Sequence, residues 1–233
     1  MNSATQVRLF AGRPVRIDDA GQFSAIWKQP LAGPVRITRE GLVGDAQADR
    51  RVHGGPEKAV HHYAGENYAR LAARFPELAG ALVVGSIGEN LSTFGVDEHT
   101  LCIGDVFRLG SAVLQISQPR RPCWKIDARY ATQGVTAHIV DSGLTGWYYR
   151  VLEEGEAAPG ADFTQLERPP GAVPLATLWR VWHEHRPERG QLAACADAPG
   201  LTPAWVHKIR DRLDWLAANP EGAGSAAAPA AKG

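Results

Sequence analysis

The sequence predicts a mainly β protein of the α+β class, an antiparallel barrel or closed sandwich with peripheral helices, followed by three short helices. Residues 7–167 consist mostly of short β-branched or alternating stretches such as PVRI and AVLQIS, punctuated by glycine and proline. After the proline-rich LERPPGAVP the apolar residues recur at helical spacing instead. This change of pattern places a boundary near residue 169.

The boundary divides the chain into three predicted segments. Residues 1–168 form the barrel domain, residues 169–218 form a three-helix domain, and residues 219–233 form a disordered tail. The tail, NPEGAGSAAAPAAKG, holds no large apolar side chain that could offset the entropy lost on ordering.

Helices are predicted where apolar residues lie three or four positions apart. One helix, GENYARLAARF, decorates the barrel, and three follow the boundary, the second opened by Pro187 and the third by an N-cap at Thr202 with Pro203 in its first turn. The residues expected on apolar faces are Tyr68, Leu71, Ala72 and Phe75, then Leu175, Leu178, Trp179 and Trp182, then Trp205, Ile209, Leu213 and Leu216.

Composition argues against several classes of partner. The chain has 25 basic and 25 acidic residues, so it lacks the broad charge that a nucleic acid or an anionic membrane surface would require. No apolar run approaches about 20 residues, and MNSATQVRLF does not resemble a secretory signal. Three cysteines without a CxxC pair fit a reducing compartment. We therefore expect a cytoplasmic protein without nucleic-acid or membrane partners.

The stretch SQPRRPC, residues 117–123, holds the strongest candidate for chemistry. Arg120 and Arg121 place two permanent charges beside Cys123, and WKIDARY predicts a helix whose first turn contains the thiol. Both effects favour a thiolate, which would be a nucleophile or a metal ligand. The alternative is an ordinary buried thiol, although an apolar core would not admit two unpaired guanidiniums. Cys102 and Cys195 lack such neighbours and are predicted to be core residues.

A second candidate is RVHGGPEKAVHHY, residues 51–63. Gly54 and Gly55 let the backbone approach a ligand closely, and Lys58 adds a cation, so the turn could hold a phosphate. The alternative is an ordinary tight turn. Histidines raise the further possibility of zinc, but neither HExxH nor a Cys/His quartet is present. The histidines concerned are His53, His61 and His62.

Two weaker candidates surround these motifs. GSIGENLS, residues 85–92, presents Asn90, whose amide can donate and accept hydrogen bonds to a heteroaromatic ring, although the stretch could also be a simple turn. DSGLTGWYYR presents Trp147 and Tyr148, which could line a planar pocket or pack inside the barrel.

Taken in order, VHGG with the following lysine, GENLS, IGD at residues 103–105, SQPRRPC and GWYYRV resemble the motifs of MOSC-domain proteins, and more narrowly those of the bacterial YiiM-like group, which is associated with resistance to N-hydroxylated purines. The resemblance covers residues 7–168, and the helical remainder resembles the three-helix extension of that group. It implies a MOSC-type β barrel that binds the molybdenum cofactor, a pterin with a dithiolene and a phosphate.

In that family the cysteine matched by Cys123 is the protein ligand of molybdenum, and a soft thiolate suits such a metal. By the same resemblance, the glycine turn with Lys58 lies near the anionic end of the cofactor, with the neighbouring histidines close by. The implied cofactor-binding residues are His53, Gly54, Gly55, Lys58, His61, Asn90, Ser117, Arg120 and Arg121.

The implied activity is reduction of N-hydroxylated substrates, such as hydroxylaminopurine-type bases and amidoximes, to amines. No flavin, haem or iron–sulfur motif is present, so a separate electron-donating reductase of flavoprotein or ferredoxin type is expected. Trp179 and Trp182 could form its docking surface or simply the helical core. Alternative functions are a cofactor carrier, a sulfur carrier through a Cys123 persulfide, and a cysteine hydrolase with His53 or His62 as base.

Overall fold

The computed structural model describes residues 7–17, 22–48 and 54–220. The strands are β1 (Arg8–Ala11), β2 (Val15–Arg16), β3 (Phe23–Ser24), β4 (Gln29–Pro30), β5 (Val35–Thr38), β6 (Gly41–Leu42), β7 (Val60–Ala64), β8 (Leu91–Thr93), β9 (Val106–Leu109), β10 (Ala112–Pro119), β11 (Trp147–Glu153), β12 (Gly155–Ala157) and β13 (Phe163–Glu167). The helices are α1 (Gly65–Arg74), α2 (Lys125–Tyr130), α3 (Val135–Ser142), α4 (Leu175–His183), α5 (Arg189–Ala196) and α6 (Pro203–Ala218). Short 3₁₀ helices span Pro56–Lys58 and Pro76–Leu78.

The main sheet has eight strands in the order β13-β9-β10-β11-β7-β8-β1-β4 and curls into half a barrel. Its paired strands are antiparallel except β7 and β8, which run parallel. A second sheet, β12-β5-β6, contributes apolar residues to the same core. The predicted fold class is therefore confirmed. In the described ranges, no helix combines the length and apolar composition needed to cross a membrane.

The helices after the barrel share its hydrophobic core. Buried residues of the sheet, such as Ile116 and Trp147, belong to one cluster with Leu178 of α4 and Ile209 of α6. The chain leaves β13 at Glu167, next to the predicted boundary. The division into domains stays a prediction, and the predicted disorder of residues 221–233 concerns a segment outside the described ranges.

The predicted helices are present, but the expectation that Pro187 opens α5 was wrong, because this helix begins at Arg189 with Glu188 as its N-cap. In α1 the side chains of Tyr68 and Leu71 are buried as expected. At the start of α6, the Thr202 hydroxyl accepts a hydrogen bond from the Trp205 backbone N–H at 3.4 Å, which confirms the N-cap. Trp179 is buried and donates its indole N–H to the carbonyl of Val140 at 2.8 Å.

Trp182 is partly buried and packs edge-on against Trp205, with ring centroids 5.5 Å apart. Packing against Trp205 accounts for Trp182, and packing in the core shared with the barrel accounts for Trp179. A docking role for the surface of these helices stays a prediction.

One guanidinium joins the sheet to the first 3₁₀ turn and to the helices. The Arg150 side chain in β11 forms an ion pair with Glu57, which lies in the turn. Its Nη1 also donates to Gln115 Oε1 at 2.7 Å and to the carbonyl of Gly200 at 2.8 Å, just before α6. Three parts of the chain are held at one point as a result.

The helices also approach the barrel closely at Gly104. This residue has a φ of +86°, and a Cβ added there would lie 2.2 Å from the carbonyl oxygen of Pro199. Gly95 has nearly the same backbone, with φ at +89°, but a Cβ there would meet no atom within 4 Å. An added Cβ would strain the backbone at both positions but would be crowded only at Gly104, so comparing the two positions distinguishes the two effects.

We expect Gly104→Ala to destabilise the protein far more than Gly95→Ala. The left-handed backbone costs either variant about 1–2 kcal/mol, while crowding against Pro199 adds about 1–3 kcal/mol only at position 104. Urea unfolding of the two variants measures the difference. Equal losses of unfolding free energy would show that the helices do not press on the barrel at this point.

Candidate functional site

A cleft with about 620 Å³ of space, which includes open solvent, opens beside strand β7. The cleft is lined by residues within the segments 24–28, 45–48, 54–61, 87–90 and 120–125, and by Tyr148. Of the predicted site residues, the following line it: Gly54, Lys58, His61, Asn90, Arg120 and Cys123.

Cys123 is partly buried, in contrast to the other two thiols. Cys102 and Cys195 lie in the core as predicted, and burial raises the pKa of Cys195 to about 11. The expectation that the Cys123 thiol lies within the first turn of a helix was wrong. Helix α2 begins at Lys125 with Trp124 as its N-cap, so Cys123 lies immediately before it.

Arg120 enters the cleft as a buried and incompletely paired cation. The residue is only 6% exposed, and its Nη2 lies 3.5 Å from the carbonyl oxygen of Ile87. Its Nη1 is buried and has no hydrogen-bond partner among the described residues. A buried donor without an acceptor costs free energy, so an anionic or polar ligand at this position would be stabilising.

Arg121 faces a different direction from its neighbour and does not line the cleft. Burial, followed by the Arg121 guanidinium, lowers the pKa of Lys208 in α6. Burial, then Lys208, then Arg121 lower the pKa of Lys58. The two guanidiniums are therefore divided, with Arg120 in the cleft and Arg121 towards the helices.

The glycine turn is both a tight turn and a wall of the cleft. Gly54 and Gly55 have φ values of +91° and +84°, which favour glycine and reverse the chain before the 3₁₀ helix. Gly54 and Lys58 line the cleft, whereas Gly55 does not. Ser117 also lies outside it, because its hydroxyl is within hydrogen-bonding distance of the carbonyls of Glu57 (2.7 Å) and Tyr148 (3.1 Å). His53 lies outside the described residues.

The loop that carries Asn90 is organised by a buried carboxylate. Glu89 accepts hydrogen bonds from the Tyr68 hydroxyl at 2.5 Å, from Gly85 N at 2.7 Å and from Ile87 N at 3.1 Å. Burial raises the pKa of Glu89. These bonds fix the loop so that Ile87, Gly88 and Asn90 line the cleft.

The amide of Asn90 is occupied by protein partners. Its Oδ1 accepts a bond from His61 N at 3.2 Å, and its Nδ2 donates to Asp45 Oδ2 at 2.9 Å. This residue therefore positions its neighbours, and the cofactor contact implied for it stays a prediction.

An ion pair between Lys28 and Asp45 lines the cleft and was not identified from the sequence. Asp45 also accepts a hydrogen bond from Gly12 N at 2.8 Å. The two partners are separated by 17 positions, and no motif or periodicity marks either residue. The only available signal was their position in glycine- and proline-punctuated segments, which is weak.

The histidines of β7 alternate between the cleft and the core. His61 lines the cleft, while His62 is fully buried, with Nδ1 3.0 Å from the Tyr149 hydroxyl and Nε2 2.9 Å from Thr93 Oγ1. Burial lowers the pKa of His62 to about 3, and burial followed by Arg120 lowers that of His61 well below its ordinary value. Both rings are therefore neutral at pH 7.

The neighbouring residues Trp147 and Tyr148 lie in different environments. Tyr148 lines the cleft, and burial raises the pKa of its hydroxyl, whereas Trp147 lies in the core. Within the part of the chain that the structure describes, no group of three His, Cys, Asp or Glu side chains is arranged to hold a metal ion. The zinc alternative also included His53, which lies outside that part.

Comparison with known proteins agrees with this architecture. The profile of the MOSC domain matches residues 49–164. The chain is 35% identical to "Protein YiiM" of Escherichia coli (strain K12) over 192 residues, which is 82% of this chain and 85% of that protein. It belongs to the MOSC-domain family, in the YiiM-like group.

Two further comparisons extend the family assignment. The crystal structure of YiiM from Escherichia coli superposes with a TM-score of 0.76 at 28% identity and covers 92% of this chain and 94% of that one. A longer protein of Gibberella moniliformis (strain M3125 / FGSC 7600), called "Reductase", is 35% identical to this chain over 191 residues. The match covers 82% of this chain but only 34% of the fungal protein. MOSC domains in general are associated with molybdenum-cofactor binding, so this MOSC protein has a role related to that cofactor.

The cleft fits such a group. Its described lining contains the thiol of Cys123, a soft donor that suits molybdenum, and the unpartnered Nη1 of Arg120, which suits an anion. Lys58 adds a second cation, and the lining carboxylate of Asp45 is already paired with Lys28. Charge and donor chemistry thus favour an anionic ligand with a soft metal.

We expect the protein to lose stability on acidification through His62. The unfolded imidazole has a pKa near 6.5 and the folded one about 3, so only the unfolded state takes up a proton in this window. The contribution of His62 to the free energy of unfolding is fully present above the unfolded pKa and decreases as the pH falls towards 3. At pH 5 the loss from this residue alone is about 2 kcal/mol.

Urea unfolding at pH 7 and pH 5 tests this on wild type, on His62→Gln and on His207→Gln, where His207 is an exposed histidine of α6. The wild type and His207→Gln should lose more stability between the two pH values than His62→Gln does. An identical loss in all three proteins would contradict the assignment.

Proposed function

We propose that this protein reduces N-hydroxylated small molecules, of the hydroxylaminopurine and amidoxime classes, to amines at a molybdenum centre held by Cys123. The observation that carries the proposal is that the partly exposed Cys123 thiol lines one cleft with a buried guanidinium nitrogen of Arg120 that has no partner among the described residues. The family's association with the molybdenum cofactor supports it. So does the name "Reductase" of the fungal relative, which fits an oxidoreductase-type activity.

The residues divide the work of binding between metal and anion. Cys123 would hold molybdenum through its sulfur, and Arg120 with Lys58 would bind the anionic and polar groups of the pterin. Gly54 leaves the wall free of a side chain next to Lys58. When bound, the molybdenum cofactor supplies two-electron reduction of an oxygenated substrate.

The remaining residues position these groups and control protons. Tyr148 keeps its proton because burial raises the pKa of its hydroxyl, so it can donate a hydrogen bond into the cleft. His61 is neutral and adds no charge. Overall, one N–OH group, two electrons and two protons give one N–H group and water. The electrons would come from a separate reductase of flavoprotein or ferredoxin type.

We expect Cys123→Ala to lower the retention of molybdenum at least about tenfold. The protein, expressed in a host that makes the cofactor, should contain molybdenum by elemental analysis, and the variant should contain about tenfold less or lower still, since a direct ligand is lost. Cys195→Ala is the matched control, because it removes a thiol buried in α5. Equal metal content in the Cys123 variant would remove the assigned ligand.

Activity is measured with reduced viologen as electron donor and an N-hydroxylated adenine or a benzamidoxime as substrate. The wild type should form the amine and Cys123→Ala should not. Tight metal binding without any turnover would instead identify a cofactor carrier. A persulfide on Cys123, detected as an added sulfur by mass spectrometry in a metal-free protein, would favour sulfur transfer.

A further inference from the structure

The Lys28–Asp45 ion pair is almost completely buried. The side chains of Lys28 and Asp45 are only 6% and 3% exposed. Taking both charges out of water is costly, and apolar residues of similar size often stabilise a core better. A buried pair that lines a ligand cleft is therefore a candidate for function.

Asp45 is fixed from three sides. One carboxylate oxygen accepts the backbone N–H of Gly12 at 2.8 Å and pairs with Lys28, and the other accepts Asn90 Nδ2 at 2.9 Å. The Lys28 ammonium has three hydrogens, and Asp45 is the one side-chain acceptor that the described structure provides for it. Among the described residues, at least one N–H of Lys28 therefore has no side-chain acceptor, and Lys28 lines the cleft.

We propose that the Lys28 ammonium is the general acid that protonates the hydroxyl oxygen of the substrate as the N–O bond breaks, with Asp45 and Asn90 as positioning residues. This inference rests on the proposed function. Lys28 gives one proton to the oxygen, which leaves as water. The second proton, taken up at nitrogen, comes from solvent, and the two electrons come from the flavoprotein or ferredoxin-type donor.

The other described groups that line the cleft are poorer acids than Lys28 or have another role. The His61 ring is already neutral at pH 7, and the pKa of the Tyr148 hydroxyl is raised by burial. Arg120 cannot give up a proton in water. Lys125 donates its Nζ to the carbonyl of Phe23 at 2.8 Å in an exposed hydrogen bond. Lys58 lies beside Arg121 and Lys208 and would bind the anion.

Burial and the charges around Lys28 act on its pKa in opposite directions. Burial lowers the pKa of Lys28, while Asp45 and, more weakly, Glu89 raise it. Among the described residues, His61 also senses the Lys28 charge, since burial, Arg120 and, to a lesser extent, Lys28 lower its pKa. An acid works best when its pKa lies near the working pH, so a lowered lysine is suited to the role.

Lys28 also has a route for regaining its proton. A second opening, with about 1030 Å³ of space that includes open solvent, is lined in part by Lys28, Arg8 and Arg129. Lys28 therefore borders both the candidate cleft and this second opening. Water in the second can return the proton while the substrate fills the first.

The test uses Lys28→Arg in the molybdenum-loaded protein, since arginine keeps the charge and cannot serve as an acid. We expect unchanged metal content, a KM within about threefold of wild type, and a kcat lower by about 100-fold or more. The wild-type kcat should decline at alkaline pH as Lys28 deprotonates, and Lys28→Arg should lack this decline. Lys208→Arg, outside the cleft, should behave as wild type.

Asp45→Asn gives a second, directional readout. Because the Asp45 charge raises the pKa of Lys28, its removal should move the alkaline decline of kcat to lower pH. In the metal-free protein, the Cε resonance of ¹³C-labelled Lys28 should titrate below the ordinary pKa of a lysine and lower still in Asp45→Asn. This measurement does not require the cofactor.

The outcomes separate the two proposals. A molybdenum-loaded wild type that reduces no N-hydroxylated compound would overturn both. An active wild type with an equally active Lys28→Arg would overturn only the assignment of Lys28. A Lys28 resonance that titrates with the surface lysines, or an alkaline decline that Asp45→Asn leaves in place, would do the same.

Discussion

The position of the Arg150 guanidinium is the constraint on which the site depends. It joins Glu57 in the turn beside the cleft, Gln115 in the middle of β10 and the carbonyl of Gly200 before α6. Partly buried charge-assisted bonds of this kind are stronger and more directional than exposed ion pairs. The wall formed by Gly54 and Lys58 is therefore set by contacts with both the sheet and the helices.

The polar and charged groups of the cleft lower the free energy of unfolding of the protein. It holds a buried guanidinium nitrogen to which the described part of the chain offers no partner, a buried lysine and, behind one wall, the carboxylate of Glu89. Each of these groups loses hydration that the protein replaces only in part. A fold stabilised by the large shared core can tolerate this cost, and a bound anion would reduce it.

Much of the architecture could be predicted because its signals are local. Alternating apolar residues predict β10, and Thr202 followed by Pro203 predicts the start of α6. Cys123 and Lys58 were placed at one site through their motifs, and both line the cleft. The division of Arg120 from Arg121 could not be predicted, because it depends on how the chain turns after β10.

Long-range pairing was invisible in the sequence for the same reason. Lys28 meets Asp45, and Glu57 meets Arg150 across 93 positions, only after the sheet has formed. Ser117 was expected at the ligand because it belongs to the same motif as Cys123. Its hydroxyl instead faces the carbonyls of Glu57 and Tyr148, a distinction that needs coordinates.

Strand β7 places His61 in the cleft and His62 in the core, one residue apart. Every position of this strand is buried, and it lies between β11 and β8 in the sheet. Since side chains alternate with a period of two, losing or gaining a single residue here would exchange the two histidines and everything they contact. Insertions and deletions among relatives should therefore occur in the loops and not in this strand. Residues of the strand can be substituted, but none can be added or removed without exchanging its two faces.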